Sequence, residues 1–352
     1  MRVLVTGTAG FIGFHVARIL WERGDDVFGV DSINDYYDPA LKYGRLKASG
    51  ISTEELMDSV PLQSKNHDNY TFTKLDLADR NMLDTFLDEM NGIECICHLA
   101  AQPGVRYSLI DPQCYISNNI VAFQNILEAC RHRHISNLVF ASSSSVYGMD
   151  IRIPFSAERA SDHPVSLYAA TKRANELMAH TYSWLFGIKA TGLRFFTAYG
   201  PWGRPDMAPF KFVRNIIEDK PIEVYNFGNM ERDFTYIDDI AEGVVRVIDH
   251  PAEADDNWNA EEPNPSSSSV PYRLYNLGRG DAVPLMDFIS VIEQELGRSA
   301  KKQMLPMQPG DVYRTYADTA AFKRDFNFEA TTSVQQGVAR FIEWYRSFYK
   351  RS

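Results

Sequence analysis

The sequence predicts an α/β protein built on a doubly wound parallel sheet, followed by a smaller C-terminal α/β lobe. Short apolar runs alternate with stretches of helical periodicity through the first half of the 352 residues, which is typical of strand–helix–strand units. A glycine-rich turn at residues 7–13 directly follows the first apolar run and opens a helical stretch. After about residue 195 the alternation becomes less regular, and this change indicates a second lobe.

The strands, helices and domains follow from these patterns. Buried strands are predicted at residues 3–5, 26–30, 95–99, 138–141 and 189–193, and helices at residues 13–23, 83–90, 118–132 and 167–186. The polar segment 49–69 is interpreted as an insertion, and the Pro- and Ser-rich segment 261–271 as a surface loop. We expect a first domain of residues 1–195, to which residues 233–250 return, and a second domain of residues 196–232 and 251–352.

Composition and charge limit the partners. The formal net charge of −10 argues against nucleic acid or an anionic membrane as the main partner, because both favour a basic face. No run approaches the ~20 apolar residues that cross a bilayer, and the N-terminal apolar run is too short for a signal peptide. The four cysteines show neither a CxxC pair nor metal-ligand spacing, so we expect buried free thiols, a reducing cytoplasm and no metal site.

The glycine turn has the strand before it and the helix after it that a dinucleotide site requires. Gly7 permits the tight turn, Gly10 lets the backbone approach a pyrophosphate, and Gly13 lets the helix pack closely on the strand. The phosphates then lie on the helix N-terminus, whose N–H groups and dipole favour negative charge. Asp31, at the end of the next predicted strand, suits both ribose hydroxyls and repels a 2′-phosphate. The first domain is therefore predicted to be a Rossmann domain that binds NAD rather than NADP.

Tyr168 and Lys172 are four residues apart and share one face of a predicted helix. A free tyrosine holds its proton to about pH 10, but a neighbouring ammonium favours the phenolate, which makes Tyr168 a candidate base. Ser143 follows the strand predicted at residues 138–141, and ligands bind at the carboxyl ends of parallel strands. We therefore assign Ser143 the hydrogen bond that relays the substrate proton. His98, which ends another strand, is interpreted as part of the cofactor-pocket wall because Tyr168 already supplies the base.

GxxGxxG, the serine and YxxxK occur in the order found in the extended short-chain dehydrogenase/reductase family, which essentially the whole chain resembles. This resemblance implies a tightly bound NAD that is regenerated in each cycle, a UDP-sugar substrate, a UDP-sugar-binding second domain and a homodimer. The dimer would form through a four-helix bundle that includes the helices near residues 118–132 and 167–186. Beyond the three glycines and Asp31, NAD contacts are assigned to Phe11, Ile12, Asn34, Asp76, Leu77, Gln102, Asn119, Tyr168 and Lys172.

Members of this family abstract a hydride from C4 of a nucleotide sugar and then diverge. Its dehydratases and uronate decarboxylases have an acidic residue in the serine segment, which serves a further step after oxidation. Ser144 and Ser145 stand at those positions here. Without that carboxylate, the simplest outcome is return of the hydride to the opposite face of the 4-keto sugar. The resemblance therefore implies a 4-epimerase.

Two further segments resemble the uronic-acid 4-epimerases of the family: residues 194–207, RFFTAYGPWGRPDM, and residues 102–108, QPGVRYS. The implied reaction converts UDP-glucuronic acid to UDP-galacturonic acid. Arg204 has the planar fork that suits the sugar carboxylate, and a loop ion pair with Asp206 is its alternative role. Further substrate contacts are assigned to Ser142, Ser143, Ser144, Arg106 and Thr197 on the sugar side and to Arg232, Gln308 and Asp311 on the UDP side.

Three other functions stay open on the sequence. A UDP-glucose or other UDP-hexose 4-epimerase would act on a neutral sugar, and a UDP-glucuronate decarboxylase would release a pentose. An NAD-binding regulatory protein without catalysis is disfavoured because Ser143, Tyr168 and Lys172 are all present.

Overall fold

The computed structural model describes residues 1–308 and 312–350, where the strands form one large sheet and three small ones. In chain order the strands are β1 (Arg2–Thr6), β2 (Asp26–Asp31), β3 (Pro61–Gln63), β4 (Tyr70–Lys74), β5 (Cys95–His98), β6 (Asn137–Ser143), β7 (Lys189–Phe195), β8 (Thr197–Tyr199), β9 (Ile222–Val224), β10 (Glu231–Arg232), β11 (Phe234–Tyr236), β12 (Tyr272–Leu277), β13 (Val283–Pro284), β14 (Lys302–Met304) and β15 (Arg314–Thr315). The large sheet has the order β12-β7-β6-β5-β1-β2-β4-β3, and the small sheets are β13-β10-β15, β11-β8 and β14-β9.

The large sheet is the predicted parallel sheet. β1 pairs in parallel with β2 and β5, β2 with β4, and β5 with β6, whereas the edge strand β3 runs antiparallel to β4. All seven residues of β6 are buried, which explains why it contains a continuous apolar run rather than an alternating pattern. The carboxyl ends of β1, β2, β5 and β6 therefore meet at one edge of the sheet, where ligands bind in folds of this class.

The helices are α1 (Phe11–Arg23), α2 (Ala40–Ala48), α3 (Arg80–Glu89), α4 (Pro112–Tyr115), α5 (Ala122–His132), α6 (Leu167–Phe186), α7 (Ala208–Ile217), α8 (Ile237–Asp249), α9 (Leu285–Leu296), α10 (Ala320–Phe326) and α11 (Val334–Tyr349). A stretch of π-helix, Ile116–Val121, leads into α5. Short 3₁₀ helices occur at Tyr107–Leu109, Ser144–Tyr147 and Tyr225–Gly228.

An apolar cluster fixes α3 and α5 to the large sheet. Its members are buried side chains of the strands and of the two helices, and each contributes about 1.5–3 kcal/mol when it leaves water. The helical periodicity of α3 and α5 exists because one face of each helix belongs to this cluster. Among its members are Leu4, Ile96, Leu138 and Phe140 from the sheet, Leu83 and Phe86 from α3, and Phe123 and Ile126 from α5.

The structure confirms the strands and helices predicted for the first lobe, with small shifts at their ends. Two details differ. The helix predicted at residues 118–132 begins as π-helix rather than α-helix, and the polar segment 49–69 contains the edge strand β3. The predicted surface loop at residues 261–271 contains neither helix nor strand.

The chain divides into two compact units. Unit 1 consists of Met1–Ile151, Ala157–Arg194 and Ala241–Tyr275, and unit 2 consists of Arg152–Ser156, Phe195–Ile240 and the chain from Asn276 onward. The two compact units differ from the expected domains at two places. Residues 251–275 belong to unit 1, because β12 lies beside β7 in the large sheet. Residues 233–240 belong to unit 2, because β11 pairs with β8 there.

Two expectations from composition concern the thiols and the membrane. Cys95, Cys97 and Cys130 are buried free thiols, whereas Cys114 is half-buried. Burial raises the pKa of the Cys130 thiol to about 12, which keeps it protonated and inert. Within residues 1–308 and 312–350, none of the helices combines the length and apolarity needed to cross a membrane.

Candidate active site

The glycine turn closes tightly against the start of α1. Gly7 has a φ of 78°, in the left-handed region that glycine adopts without strain, and its N–H donates to the Val30 carbonyl at 2.7 Å. A Cβ atom at Gly13 would lie 2.2 Å from the Gly7 carbonyl oxygen. Only glycine therefore lets α1 approach the turn this closely, as the motif predicts.

The N-terminus of α1 suits an anion. Gly10 is the N-cap of α1, there is no side-chain capping bond, and the first turn contains no acidic residue. The N–H groups of the first turn, among them those of Phe11, Ile12 and Gly13, have no acceptor inside the helix. Since the positive end of the helix dipole lies at the same place, the turn fits a pyrophosphate.

The loop after β2 holds several polar side chains in place. Asp31 ends β2, and its carboxylate accepts the Ile33 N–H at 2.8 Å. The side-chain oxygen of Asn34 accepts from the Lys42 ammonium at 2.7 Å, and its amide donates to Gln102 at 3.4 Å. Lys42 is buried and was not singled out from the sequence, where nothing links it to Asn34.

Asn119 holds the backbone of Gln102. Its Oδ1 accepts the Gln102 N–H at 2.8 Å, while its amide donates to the Gln102 carbonyl and to the Thr171 hydroxyl, both at 3.1 Å. An asparagine amide has two hydrogens, and both are used here inside the protein. The Asn119 side chain therefore positions the segment that contains Gln102, and its assigned contact with NAD stays a prediction.

Asp76 and Leu77 directly follow β4. Asp76 is exposed, and its carboxylate accepts the Ala78 N–H at 2.9 Å. Leu77 is buried, and its carbonyl accepts from the Asn125 amide at 2.9 Å. Both residues lie at the edge of the sheet where β1 and β2 also end.

Tyr168 and Lys172 lie in the first two turns of α6. The helix begins at Ser166, whose hydroxyl accepts the Ala169 N–H at 3.1 Å. The Lys172 ammonium is buried and donates to the Ala141 carbonyl of β6 at 2.9 Å. Burial lowers the pKa of Lys172 to about 8, and the Glu176 carboxylate opposes this shift. The contact brings the YxxxK pair against the strand that ends at Ser143.

Ser142 and Ser143 are separated by the alternation of side chains along β6. Ser143 ends the strand, and its Oγ accepts the Ser145 N–H at 3.2 Å. Ser142 instead donates to the buried carboxylate of Glu176 at 2.6 Å. Ser142 therefore belongs to a buried polar network, and its assigned contact with the sugar stays a prediction. Ser144 begins the following 3₁₀ helix and is partly exposed.

Glu176 is the centre of that network. Its two oxygens accept from Arg194 of β7 at 2.8 and 2.9 Å, from Ser142 of β6 and from Arg173 at 2.9 Å. Burial alone raises the pKa of Glu176, but the Arg194 guanidinium and the other donors hold it below its usual value. Arg194 also lies over the Tyr147 ring, 4.8 Å from its centroid. Ser142 before Ser143 and Tyr147 after it thus both contact the buried Glu176–Arg194 ion pair.

His98 is neutral and fixed. The Thr6 hydroxyl accepts the N–H groups of Leu99 and Ala100, both at 3.0 Å, so its own hydrogen points to His98 Nδ1 at 3.0 Å. Burial lowers the pKa of His98 to about 3. A buried imidazole that stays neutral and already accepts a hydrogen bond at Nδ1 is suited to line a pocket rather than to act as a base.

In unit 2, Arg204 follows β8 in the loop before α7. Its Nε and Nη2 donate to the two carboxylate oxygens of Asp206 at 3.1 and 2.5 Å. The ion pair that was the alternative role of Arg204 is therefore present, and it orients the guanidinium. Thr197 begins β8 and donates its N–H to the Asp233 carbonyl at 3.1 Å. In unit 1, Arg106 lies exposed before the 3₁₀ helix Tyr107–Leu109.

Arg232 lies in the short sheet β13-β10-β15 of unit 2. Its guanidinium donates to three backbone carbonyls, at distances of 2.7–3.0 Å: those of Glu231, Val312 and Tyr313. Val312 and Tyr313 immediately follow the segment assigned to the nucleotide. In that segment Gln308 is half-buried, and Asp311 lies outside the described residues.

Asp233 is a buried carboxylate that the sequence did not single out. Although burial raises its pKa, four donors surround it. These are the N–H groups of Arg279, Gly280 and Ala317 and the hydroxyl of Thr235, at 2.8–3.1 Å. The acid after Arg232 therefore fixes loops that are distant in the chain, and no local pattern predicts those partners.

Comparisons with known proteins show the family of the chain. Residues 3–260 match the NAD dependent epimerase/dehydratase family. The chain is 50% identical to protein CapI of Staphylococcus aureus over 100% of both chains, and 45% identical to a probable UDP-glucuronate 4-epimerase of Rhizobium meliloti over 100% of this chain and 99% of that one. A solved UDP-glucuronic acid 4-epimerase of Bacillus cereus, in complex with UDP-glucuronic acid and NAD, is similar with a TM-score of 0.80, 30% identity and coverage of 99% and 100%. The chain belongs to the NAD-dependent epimerase/dehydratase family.

Proposed function

We propose that this chain is an NAD-dependent UDP-glucuronate 4-epimerase, which forms UDP-galacturonic acid through a transient 4-keto sugar. The observation that carries the proposal is the bond from Lys172 to the Ala141 carbonyl at 2.9 Å, because it brings the helix of Tyr168 against the strand that ends at Ser143. The substrate is supported by the 45% identity to the Rhizobium meliloti protein, over essentially the full length of both chains.

The cofactor site uses the uncapped N-terminus of α1 for the pyrophosphate and Asp31 for the ribose hydroxyls. When bound, NAD supplies reversible hydride acceptance at C4 of the sugar. Each turnover ends in the starting redox state, so the chain has no need to release the cofactor. Tight binding through the glycine turn, the Asn34 loop and the Gln102 segment is compatible with this chemistry.

Tyr168 takes the proton of the 4-hydroxyl, directly or through Ser143, and returns it at the end of the cycle. The Lys172 ammonium stabilises the phenolate form of Tyr168. Ser143 is held at the strand end by its bond to the Ser145 N–H. His98 is assigned no proton transfer, because its lowered pKa makes it a weak base and its Nδ1 accepts a hydrogen bond from Thr6.

Inversion requires the sugar to present both faces of C4. A 4-keto sugar is planar at that carbon, so rotation about its bonds to the diphosphate exchanges the faces while the nucleotide stays anchored. We assign the anchor to Arg232, Gln308 and Asp311. Binding energy from these remote groups orients the reacting carbon.

A uronic acid oxidised at C4 is a β-keto acid, which loses CO₂ when its C5–carboxylate bond stands perpendicular to the new carbonyl. Hydrogen bonds from Arg204, Ser143 and Ser144 would hold the carboxylate out of that alignment and preserve its charge. Thr197 and Arg106 complete the proposed sugar contacts. Arg204→Ala is therefore expected to release UDP-pentose as a by-product.

The proposed function is tested by incubating the purified protein with UDP-glucuronate, without added NAD, and separating the products. UDP-galacturonate is the expected product. UDP-pentose as the main product would identify a decarboxylase, and turnover of UDP-glucose alone would identify a hexose epimerase. Release of NAD on denaturation without turnover of either sugar would favour a regulatory protein.

We also propose that the protein is a homodimer. Leu177, Trp184 and Leu185 lie seven and eight residues apart on one face of α6 and are 55%, 63% and 59% exposed. Val121, at the end of the π-helix before α5, is 40% exposed. Apolar side chains grouped on the helices expected in the bundle support an interface between two copies.

A further inference from the structure

The loop that contains Arg204 includes a tryptophan in an unfavourable backbone conformation. Trp202 has a φ of 62°, and the Gly203 N–H donates to the Gly200 carbonyl at 3.0 Å, which closes a tight turn. The third residue of such a turn is favourable for glycine and strained for a tryptophan. A bulky residue persists in this conformation only where its surroundings hold it.

The ring of Trp202 is held by the C-terminal helix. It lies 5.1 Å from the ring of Trp344 and 4.8 Å from that of Phe348, measured between centroids, and these two residues are one turn apart on α11. Trp344 stacks on Phe348 at 5.4 Å and on Phe341 at 5.9 Å. Such aromatic pairs are worth more than the area they bury, so the ring has a defined place.

The helix that holds Trp202 is itself firmly attached. Ser333 caps α11 and forms a capping box with Gln336. Phe341 and Tyr345 of α11 pack against Phe210 in the first turn of α7, at 5.9 and 5.5 Å. Since the loop with Trp202 leads directly into α7, α11 braces both the loop and the helix that follows it.

Arg204 is two residues from Trp202, the residue that Trp344 and Phe348 of α11 hold in place. Asp206 accepts both its Nε and Nη2, and the Met207 N–H donates to the Arg204 carbonyl at 3.3 Å, which ties the guanidinium to the start of α7. Trp202 fixes the other side of the same short segment. A guanidinium recognises a carboxylate through a planar fork, so its orientation as well as its charge decides affinity.

We propose that Trp202 is a positioning residue, braced by Trp344 and Phe348 of α11, that sets the orientation of Arg204 and thereby the preference for a sugar that bears a carboxylate. This inference rests on the proposed function and deepens it, because it names a residue that determines specificity. α11 then contributes to substrate choice although it lies about 140 residues further along the chain.

The test compares Trp202→Gly with Trp202→Phe. Glycine removes the ring but suits the left-handed backbone, so the fold is retained, and phenylalanine keeps part of the aromatic contact. Calorimetry measures the affinity for UDP-glucuronate and for UDP-glucose. We expect Trp202→Gly to lose about tenfold or more in affinity for UDP-glucuronate, with the UDP-glucose affinity changed by less than about twofold. The affinity of Trp202→Phe for UDP-glucuronate should lie between those of the wild type and Trp202→Gly. The amount of UDP-pentose by-product should rise from the wild type through Trp202→Phe to Trp202→Gly.

A matched pair of α11 and control variants tests the contact between Trp202 and α11 from the side of the helix. Phe348→Ala removes a ring that contacts Trp202, whereas Phe328→Ala removes a half-buried ring of unit 2 that packs on Phe322. Only Phe348→Ala should lower the affinity for UDP-glucuronate relative to the affinity for UDP-glucose. Thermal unfolding and bound NAD, measured for every variant, identify any general loss of structure.

Two results would overturn the inference: an unchanged affinity ratio in Trp202→Gly, or an equal loss for both sugars, which indicates a purely structural role. The wild-type protein separates this failure from a failure of the proposed function. If the wild type converts UDP-glucuronate while Trp202→Gly keeps the wild-type ratio, only the inference fails. If the wild type neither binds nor converts UDP-glucuronate, the proposed function fails and the inference fails with it.

Discussion

At the scale of single residues, Lys172 has a structural role and a proposed chemical role. Its ammonium is buried and bonded to the Ala141 carbonyl, which fixes α6 to β6. In the proposed mechanism the same charge stabilises a phenolate at Tyr168, one turn away on α6. Burial lowers the pKa of Lys172 to about 8, against the influence of Glu176, so the charge is retained at neutral pH and lost under mildly alkaline conditions.

We therefore expect the turnover rate to fall as the pH rises through about 8, because deprotonation of Lys172 removes the partner of the phenolate. The rate profile for UDP-glucuronate between about pH 6 and pH 10 measures this. Circular dichroism at the alkaline end checks that the protein stays folded. A rate that is constant to pH 10 would show that the charge of Lys172 does not govern the base.

Glu176 is expected to be a major contributor to stability. Glu176→Gln leaves Arg194 without its buried counter-charge, and breaking a buried pair on one side costs about 3–5 kcal/mol. Because the folded-state pKa of Glu176 is lowered, its contribution is fully present above the unfolded pKa of about 4.3 and is lost as the pH falls through the lower folded-state pKa. The stability difference from wild type should thus shrink in acid.

Urea unfolding at pH 7 and at about pH 3, well below the unfolded pKa, measures that difference. Glu89→Gln makes the same substitution on the exposed end of α3 and should cost less than about 0.5 kcal/mol. Equal, small effects of the two substitutions would contradict the account of the buried network.

The residues that could be predicted from the sequence are those whose roles follow from local spacing. Tyr168 and Lys172 are four residues apart, and Ser143 ends an apolar run, so the sequence alone makes all three candidates for the site. The Glu176–Arg194 pair could not be predicted, because the two residues lie on different elements, 18 residues apart, and no motif links them. The bond from Ser142 to Glu176 could not be predicted either, since a serine run does not show which hydroxyl points to the strand end and which to α6.

At the scale of elements, the strands and helices of the first lobe could be predicted because each has its own periodicity. The sheet to which a strand of the later part of the chain belongs could not be predicted. β12 is the edge strand beside β7 in the large sheet, but it lies almost eighty residues later in the chain. Its sequence therefore gives no sign of this pairing. The strand β11 was expected in the first domain for the same reason, whereas its partner is β8.

The approach of α1 to the glycine turn gives a prediction for an element. Gly13→Ala places a methyl group 2.2 Å from the Gly7 carbonyl oxygen, so α1 must shift, at a cost of about 1–3 kcal/mol. The NAD content after purification should fall, because the shift moves the N–H groups that face the pyrophosphate. Absorbance of the cofactor released on denaturation measures this content.

Gly297→Ala is the control for that substitution. It adds the same methyl group at the end of α9, where nothing lies within 4 Å and only the left-handed backbone (φ 65°) is strained. It should reduce stability by about 1–2 kcal/mol and leave the NAD content unchanged. A Gly13→Ala protein with the full NAD content would contradict the proposed use of the turn.

At the scale of the whole molecule, each compact unit has its own buried carboxylate. Glu176 joins α6 to β6 and β7 in unit 1, and Asp233 joins three loops in unit 2. The apolar face of α6 is not covered within unit 1, since Trp184 and Leu185 are mostly exposed. This exposed face is the basis for the proposed dimer.

Light scattering coupled to size-exclusion chromatography should give twice the 40.0 kDa mass of the chain. Substitution of Leu177 and Leu185 together by glutamate should reduce it to the monomer mass, because charges cannot be buried in the interface without partners. Met57→Glu, which places a charge on another exposed apolar residue of unit 1, should leave the dimer intact. A wild-type mass of one chain would exclude the dimer.

The central claim is that hydrogen leaves C4 of the sugar and returns to the same carbon on the other face. UDP-glucuronate labelled with deuterium at C4, incubated without added NAD, tests it most directly by mass spectrometry of the product. The account predicts UDP-galacturonate that keeps the deuterium, with no formation in Tyr168→Phe. Product that has lost the label to solvent, or unchanged turnover in Tyr168→Phe, would contradict it.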